Sequence, residues 1–277
     1  MGTKLTDLLK HKYWGRAIIP ALDEQGNETM IYFISGRSPS SKARILVIDD
    51  KTNTIFTQST DDAVLKNGNP ALLLYPAMTY INEAIIATNG AQTSLIYSTI
   101  RNMETHASVP DYLFRGKSKT SFELLPQQIL EHAFENPSYM HDQKGNWIDI
   151  TEHEPDAPIF TPRISVVLRH GNVAVYTAYK DISDDSKNFM IESADLCKNK
   201  KNGRFVPTYC GEDHVLPTIG PYKNVIIPKG NIETIAKEIF DSMQGENENG
   251  KFRVAVAVMQ KTTDGVRSYV VNATDRK

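Results

Sequence analysis

Short apolar runs separated by polar turns dominate the first third of the chain. Ile31–Ile34 and Ile45–Ile48 are unbroken apolar, β-branched and aromatic runs that predict buried strands. Tyr13–Pro20 predicts a strand ahead of them, ended by Pro20, and Asp23–Glu28 a turn. Thr54–Gln58, Ala71–Tyr75 and Glu83–Thr88 predict further strands. Thr60–Asn67 has modest helical character that Asn67-Gly68-Asn69-Pro70 breaks. After Asn89-Gly90 the period changes: Ser94, Leu95, Ile96, Ile100 and Met103 predict a helix entered through Ala91-Gln92-Thr93.

Residues 105–150 carry the weakest pattern, with a helix predicted over Ser121–Phe134 despite Pro126 and a loop or short hairpin over Pro137–Asp149. Glu152-His153-Glu154-Pro155-Asp156-Ala157-Pro158 is an acidic, proline-rich connection that cannot be regular helix. Thr161–Leu168 and Val173–Tyr179 predict paired strands around His170-Gly171-Asn172, and Phe189–Ala194 and Val225–Ile227 shorter ones. Thr208–Tyr222 should be mostly irregular. Asn231–Met243 is the clearest amphipathic helix, and Phe252–Met259 with Arg267–Val271 a last hairpin around Thr262–Gly265. Strands arriving in runs, with helices segregated, predict an α+β fold of mainly antiparallel sheets. Met1–Lys12, with Leu5, Leu8 and Leu9 on one face, reads as an amphipathic extension ahead of a single domain over 13–277.

Composition narrows the class. The 277 residues are 40% hydrophobic and 23% charged, as in an ordinary globular protein, and the net charge of −2 argues against a nucleic-acid partner. Lys4, Asp7, Lys10 and Lys12 interrupt the apolar lead-in, no run is long enough to span a membrane, and the expected compartment is the cytoplasm. Cys197 and Cys210 lack metal-ligand spacing, and the seven histidines form no ligand pattern, so no metal site is expected. Walker, GxGxxG, GxSxG and HExxH motifs are absent.

Two places carry candidate chemistry. Arg37, Ser38, Ser40, Ser41, Lys42 and Arg44 lie between two predicted strands. Cations and hydroxyls so grouped suit a phosphate, although a solvated hairpin-like connection would look the same. Arg163, entering a buried strand, needs a carboxylate or phosphate partner. Glu154 is either that partner or a general acid or base in a restricted loop.

Several motifs occur in one order: Tyr13-Trp14-Gly15-Arg16, Gly36-Arg37-Ser38, Thr88-Asn89-Gly90-Ala91-Gln92-Thr93, Glu154 to Pro158 and Thr161-Pro162-Arg163-Ile164. Tyr209-Cys210-Gly211-Glu212 and Leu216-Pro217 follow. Together they resemble the archaeal-type IMP cyclohydrolase family in its longer bacterial branch, over roughly residues 13–260. The resemblance implies a four-layered αββα sandwich of the N-terminal nucleophile hydrolase type, without a catalytic residue 1. It also implies a purine ribonucleotide pocket between the sheets and no cofactor. The implied reaction closes 5-formamidoimidazole-4-carboxamide ribonucleotide to IMP with loss of water.

By motif position the resemblance assigns Glu154 to proton transfer, Tyr75 to the formyl oxygen and Lys42 to the catalytic set. It assigns Arg16, Arg37, Ser38, Asn89, Gly90, Thr93 and Arg163 to substrate contacts. Two positions depart from the family pattern: Lys42 stands where arginine is usual, losing bidentate geometry, and Pro76 where a side-chain amide is common. They keep open a ring-closing or amide-hydrolysing enzyme on another nucleotide, and a non-catalytic purine-nucleotide-binding protein on the same fold. A homo-oligomer also stays open.

Overall fold

The structure is a computed structural model and describes residues 3–10, 12–106, 124–181, 183–198, 202–211 and 219–276. In chain order the elements of the first half are β1 (Thr3–Lys4), α1 (Leu5–Leu9), β2 (Arg16–Leu22), β3 (Glu28–Ser35), α2 (Pro39–Lys42), β4 (Arg44–Asp49), β5 (Thr54–Ser59), α3 (Asp62–Leu65), α4 (Pro70–Leu73), β6 (Pro76–Ile81), β7 (Ala84–Thr88) and α5 (Gln92–His106). The second half adds α6 (Pro126–Ala133), β8 (Tyr139–His141), β9 (Trp147–Asp149), β10 (Arg163–Arg169), β11 (Asn172–Lys180), β12 (Lys187–Asp195), β13 (Gly203–Pro207) and β14 (Lys223–Ile226). It ends with α7 (Ile232–Ser242), β15 (Glu246–Asn247), β16 (Gly250–Lys251), β17 (Arg253–Thr262) and β18 (Gly265–Asn272).

Two seven-stranded sheets dominate. One runs β1-β14-β13-β2-β3-β17-β18 and the other β12-β11-β10-β7-β6-β5-β4. Every pairing within them is antiparallel except β1 with β14, so the expected mixed α+β class with mainly antiparallel sheets is what the chain adopts. Side chains alternate along each strand, and the core divides accordingly. Ile18, Met30, Tyr32 and Ile34 of the first sheet pack against Leu46, Met78, Ile85, Ile164 and Val166 of the second. Their neighbours Ala17, Ile19, Ile31 and Phe33 point the other way, onto Leu5 and Leu9 of α1 and Ile235, Ile239 and Phe240 of α7. On the outer side of the second sheet, Ile86, Val167, Ala174 and Tyr176 meet Ile96 and Ile100 of α5 and Ile129 and Leu130 of α6. Central strands covered on both faces read as continuous apolar runs, which is why β3 and β10 were conspicuous.

Several sequence expectations are corrected. Pro20 does not end the first strand: β2 continues to Leu22, and its ladder with β13 joins Ala17, Ile18 and Ala21 while skipping Ile19 and Pro20, where proline brings no amide. Ala71–Tyr75 is not a strand. Asn69 accepts from Ala71 N at 3.1 Å and Pro70 follows it, so capping starts α4 and the next strand begins only at Pro76. The connection after β3 is no hairpin, because β3 belongs to one sheet and β4 is the edge strand of the other. The helix expected over Ser121–Phe134 is α6, starting at Pro126; Ser121, Glu212, Leu216 and Pro217 lie outside the described residues. The hairpin alternative for Pro137–Asp149 is realised as β8 and β9.

Candidate functional site

The two sheets meet a group of polar side chains at one end of the gap between them. Arg16 opens β2, two positions before Ile18, so alternation turns it into that gap. Its Nη1 donates to the Asn89 carbonyl at 3.1 Å and lies 3.0 Å from Glu154 Oε1. Arg16 and Glu154 are both buried. The close approach is an ion pair without hydrogen-bond alignment, for Glu154 Oε1 has no hydrogen-bond partner among the described residues. Burial opposes the charge of Arg16, but Glu154 and the surrounding tyrosine hydroxyls Tyr75, Tyr32 and Tyr209 carry its pKa well above the ordinary arginine value. The cation is permanent.

Tyr75 sits between α4 and β6, and its hydroxyl meets that of Tyr32 from β3 at 2.8 Å. Its backbone N donates to Thr57 Oγ1 at 2.7 Å, which fixes the ring's base on β5. Desolvation, then the neighbouring Tyr75, pushes the Tyr32 phenol well up, while Arg16 and Arg44 pull against this. The Tyr32 phenol therefore stays protonated at neutral pH.

Asn89 and Gly90 form the junction between β7 and α5, and Asn89 is consumed by the fold. Its Oδ1 accepts from Ile164 N at 2.8 Å and Gln92 Nε2 at 3.1 Å, and its Nδ2 donates to Pro162 O at 2.8 Å. Thr93 shares its hydroxyl with Thr88 at 2.5 Å and donates to the Gly90 carbonyl at 3.4 Å. Gly90 makes room for two side-chain ends: a Cβ there would collide with Arg163 Nη1 and lie 2.6 Å from Gln92 Oε1, so both would have to shift. Because Ile164 and Val166 face the gap, Arg163 turns to the opposite face of β10 and donates from Nη1 to Gln92 Oε1 at 3.3 Å. Its Nε and Nη2 have no hydrogen-bond partner among the described residues, although the side chain is buried. Burial first of all lowers its pKa, with Glu154 opposing.

The loop from Arg37 to Arg44 is organised differently from a bare anion cradle. Ser38 caps α2, accepting from Ser41 N at 3.2 Å, and Ser41 Oγ accepts from Ser38 N at 3.0 Å. Arg37 stacks on the Tyr13 ring at 4.7 Å. Lys42 Nζ donates to the carbonyls of Asn249 at 2.7 Å and Gly250 at 3.1 Å, pinning α2 to the β15–β16 turn. Desolvation lowers the Lys42 pKa. No contact among the described residues joins Lys42 to Glu154 or Tyr75. Arg44 is buried, donates from Nε to Ser41 O at 3.0 Å and leaves Nη1 without a hydrogen-bond partner among the described residues.

Sequence reasoning passed over three groups. Asp156 accepts from Thr161 N at 2.6 Å and from its hydroxyl at 2.5 Å, and that hydroxyl meets Tyr209 OH at 2.8 Å. Burial, then the charge of Glu154, pushes Asp156 up to about 6. Gly15 is left-handed at φ +69, and a Cβ there would lie 2.6 Å from the Tyr209 ring, so it lets this tyrosine approach β2. Tyr32 read only as a core residue of a continuous apolar run. For Asp156 the available signal was a second carboxylate two positions from Glu154. Two open surface clefts, one bordered by Asp241 and Arg253 and one by Glu83 and Lys261, contain none of these residues.

Residues 13–113 match the family described as IMP cyclohydrolase-like protein, so the resemblance holds over that stretch. It includes Arg16, Arg37, Ser38, Lys42, Tyr75, Asn89, Gly90 and Thr93, and stops before Glu154, Asp156 and Arg163. No curated protein matches the chain.

Proposed function

We propose that this chain, similar over residues 13–113 to the IMP cyclohydrolase-like family, closes 5-formamidoimidazole-4-carboxamide ribonucleotide to IMP with loss of water. The three apolar layers of contact, helix on sheet, sheet on sheet and sheet on helix, are consistent with a four-layered αββα sandwich of the N-terminal nucleophile hydrolase type. Residues 13–277 are read as one domain, with α1 packed onto it through Leu5 and Leu9. The substrate carries both reacting groups on one imidazole ring, so proximity is largely built in. What the protein adds is alignment, an oxyanion donor and proton transfer.

In this reading Glu154 takes the carboxamide proton, with Arg16 holding its charge and orientation. Tyr75, backed by Tyr32, donates to the formyl oxygen as negative charge develops there. Asn89, Gly90 and Thr93 set the wall of the site by fixing the β7–α5 junction. Arg163, with two unmatched donors beside Gly90, serves an anionic or carbonyl group of the nucleotide. Arg37, Ser38 and Lys42 shape the rim through α2. The observation that carries the reading is the buried Arg16–Glu154 pair at 3.0 Å, assembled from a residue inside the matched stretch and one beyond it.

The test is ultraviolet detection of IMP formation from the formylated ribonucleotide. Wild-type protein is expected to turn over, and Glu154→Gln to lose turnover while still binding IMP. An unchanged rate in that variant removes Glu154 from the mechanism. Tight IMP binding by a wild-type protein that makes none favours a non-catalytic purine-nucleotide-binding protein.

A further inference from the structure

The reaction proposed above needs protons in two directions. As the carboxamide nitrogen attacks the formyl carbon, the C–N bond forms, the carbonyl electron pair moves to oxygen, nitrogen loses a proton and oxygen gains one. As the C–O bond then breaks, the oxygen leaves as water with a second proton, and the formamido nitrogen gives up its proton to form the ring C=N, the carboxamide nitrogen keeping its remaining one. One proton leaves each of the two nitrogens and two reach oxygen, so the balance is zero, but a single carboxylate paired with arginine supplies only the basic half.

A second carboxyl stands at the same place. Asp156 is two residues from Glu154 in the proline-bounded loop and is partly exposed, so it exchanges protons with solvent. The groups facing it are Glu154 from its own loop, Arg16 from β2, Arg163 from β10 and Tyr209 from the segment after β13. Both its oxygens are bound by Thr161, through N at 2.6 Å and the hydroxyl at 2.5 Å. The Thr161 hydroxyl continues to Tyr209 OH at 2.8 Å, where either oxygen can donate. Tyr209 in turn lies within the electrostatic reach of Arg16 and stacks on Tyr13 with ring centroids 5.7 Å apart.

Such a chain accommodates both states of Asp156. With the carboxylate ionised, Thr161 donates to it and Tyr209 donates to Thr161. With the carboxyl protonated, Asp156 donates to the Thr161 hydroxyl, which turns to donate to Tyr209. Reversal needs only rotation of two hydroxyl hydrogens. We propose that Asp156 is the proton store of this site, a positioning residue that delivers a proton through Thr161 and Tyr209 to the departing oxygen while Glu154 accepts those leaving nitrogen. The inference rests on the ring-closing reading for its substrate. Burial beside Glu154 moves Asp156 to about 6, within reach of the protonated form that an acid role needs.

The experiment is the pH dependence of kcat and KM for IMP formation in wild type, Asp156→Asn, Thr161→Val and Thr161→Ser, with thermal melting as the folding control. The expected wild-type kcat falls as pH rises through about 6. Asp156→Asn loses that limb and drops kcat by about 10- to 100-fold at pH ~5.5 with KM little changed. Thr161→Val displaces the limb, Thr161→Ser restores it, and this pair carries the test if Asp156→Asn does not fold. An Asp156→Asn enzyme that keeps the limb and its kcat within about twofold overturns the proposal. If wild type makes no IMP at any pH, the ring-closing reading fails by itself, and carbon-13 NMR of the Asp156 carboxyl decides the store. A titration near 6 that moves in Thr161→Val sustains it; one in the ordinary carboxylate range ends it.

Discussion

Removing Arg16 tests the energetics of the site most directly. At 3.0 Å from Glu154 Oε1, with an effective dielectric constant of ~20, the attraction is on the order of 5 kcal/mol. Desolvation of both ions offsets much of that, so the pair as a whole is not a large net stabiliser, yet breaking it from one side leaves a buried charge uncompensated. Arg16→Met is expected to cost about 3–5 kcal/mol from the stranded Glu154. It also deprives the buried Asn89 carbonyl of the Arg16 donor, a further ~1 kcal/mol or more. Glu154→Leu leaves Arg16 its bond to Asn89 O and costs less than Arg16→Met. The double variant Arg16→Met/Glu154→Leu removes both charges and is expected to be more stable than Arg16→Met alone, with a coupling energy above about 2 kcal/mol. Urea denaturation of the four proteins at pH ~7 measures it, with a constant m-value as the two-state check. Additivity of the two single changes within about 0.5 kcal/mol would falsify the ion pair as an energetic unit.

Three further outcomes are expected. Gly90→Ala places a methyl group against Arg163 Nη1 and 2.6 Å from Gln92 Oε1, so it should destabilise by about 1–3 kcal/mol and weaken IMP binding, read by melting and calorimetry; an unaffected Kd would remove Arg163 from the binding site. Asp156 is raised from 3.8 to about 6 in the folded protein, so the unfolded chain ionises first and the protonated form favours folding. That contribution is complete below pH ~4 and lost as pH rises through about 6. Relative to Asp156→Asn, wild type should therefore lose up to roughly 3 kcal/mol between those limits in pH-dependent denaturation; a flat difference would refute the shift. Leu9→Ala in α1 opens the cluster shared with α7 and should cost about 2–5 kcal/mol, so a neutral result in chemical denaturation would show that residues before the first long strand are dispensable.

Much of the fold was legible because burial writes itself into local pattern. β3, β10, β11 and β17 are covered on both faces, and their apolar runs announced strands without alternation. Helix α7 was announced by its apolar spacing and by Asn231, whose Oδ1 accepts from Thr234 N at 2.9 Å. Failures occurred where a short-range signal competed with a longer one. At Ala71–Tyr75 five apolar residues suggested a strand, but the Asn69-Pro70 cap turned the backbone into a helix first. β13 was not anticipated, since Gly203 and Pro207 bound it and only Phe205 and Val206 lie between them as apolar residues.

The candidate site divides along the same line. Glu154 and Arg163 were conspicuous because a charged residue beside a buried strand needs a partner, and sequence alone offered either a pairing of the two or Glu154 as a general acid or base. The structure gives Glu154 to Arg16 instead, and Arg163 to Gln92. The reason is topological: alternation along β10 sends Arg163 to the helix side, while alternation along β2 sends Arg16 into the gap between the sheets. The loop from Arg37 to Arg44 looked like a phosphate cradle by composition, yet its hydroxyls close a capping box and Lys42 binds carbonyls of a distant turn.

Composition, strand runs, turn residues and motif order therefore determined by themselves the α+β class, the antiparallel connections and the resemblance over the first part of the chain. Those properties depend on neighbours within a few residues. Which strand joins which sheet, which cation meets Glu154, and that Asp156, Thr161 and Tyr209 form one chain were decided only by tertiary structure. They depend on side-chain direction and on contacts between residues far apart in sequence, where one position of shift along a strand exchanges the gap for the opposite face.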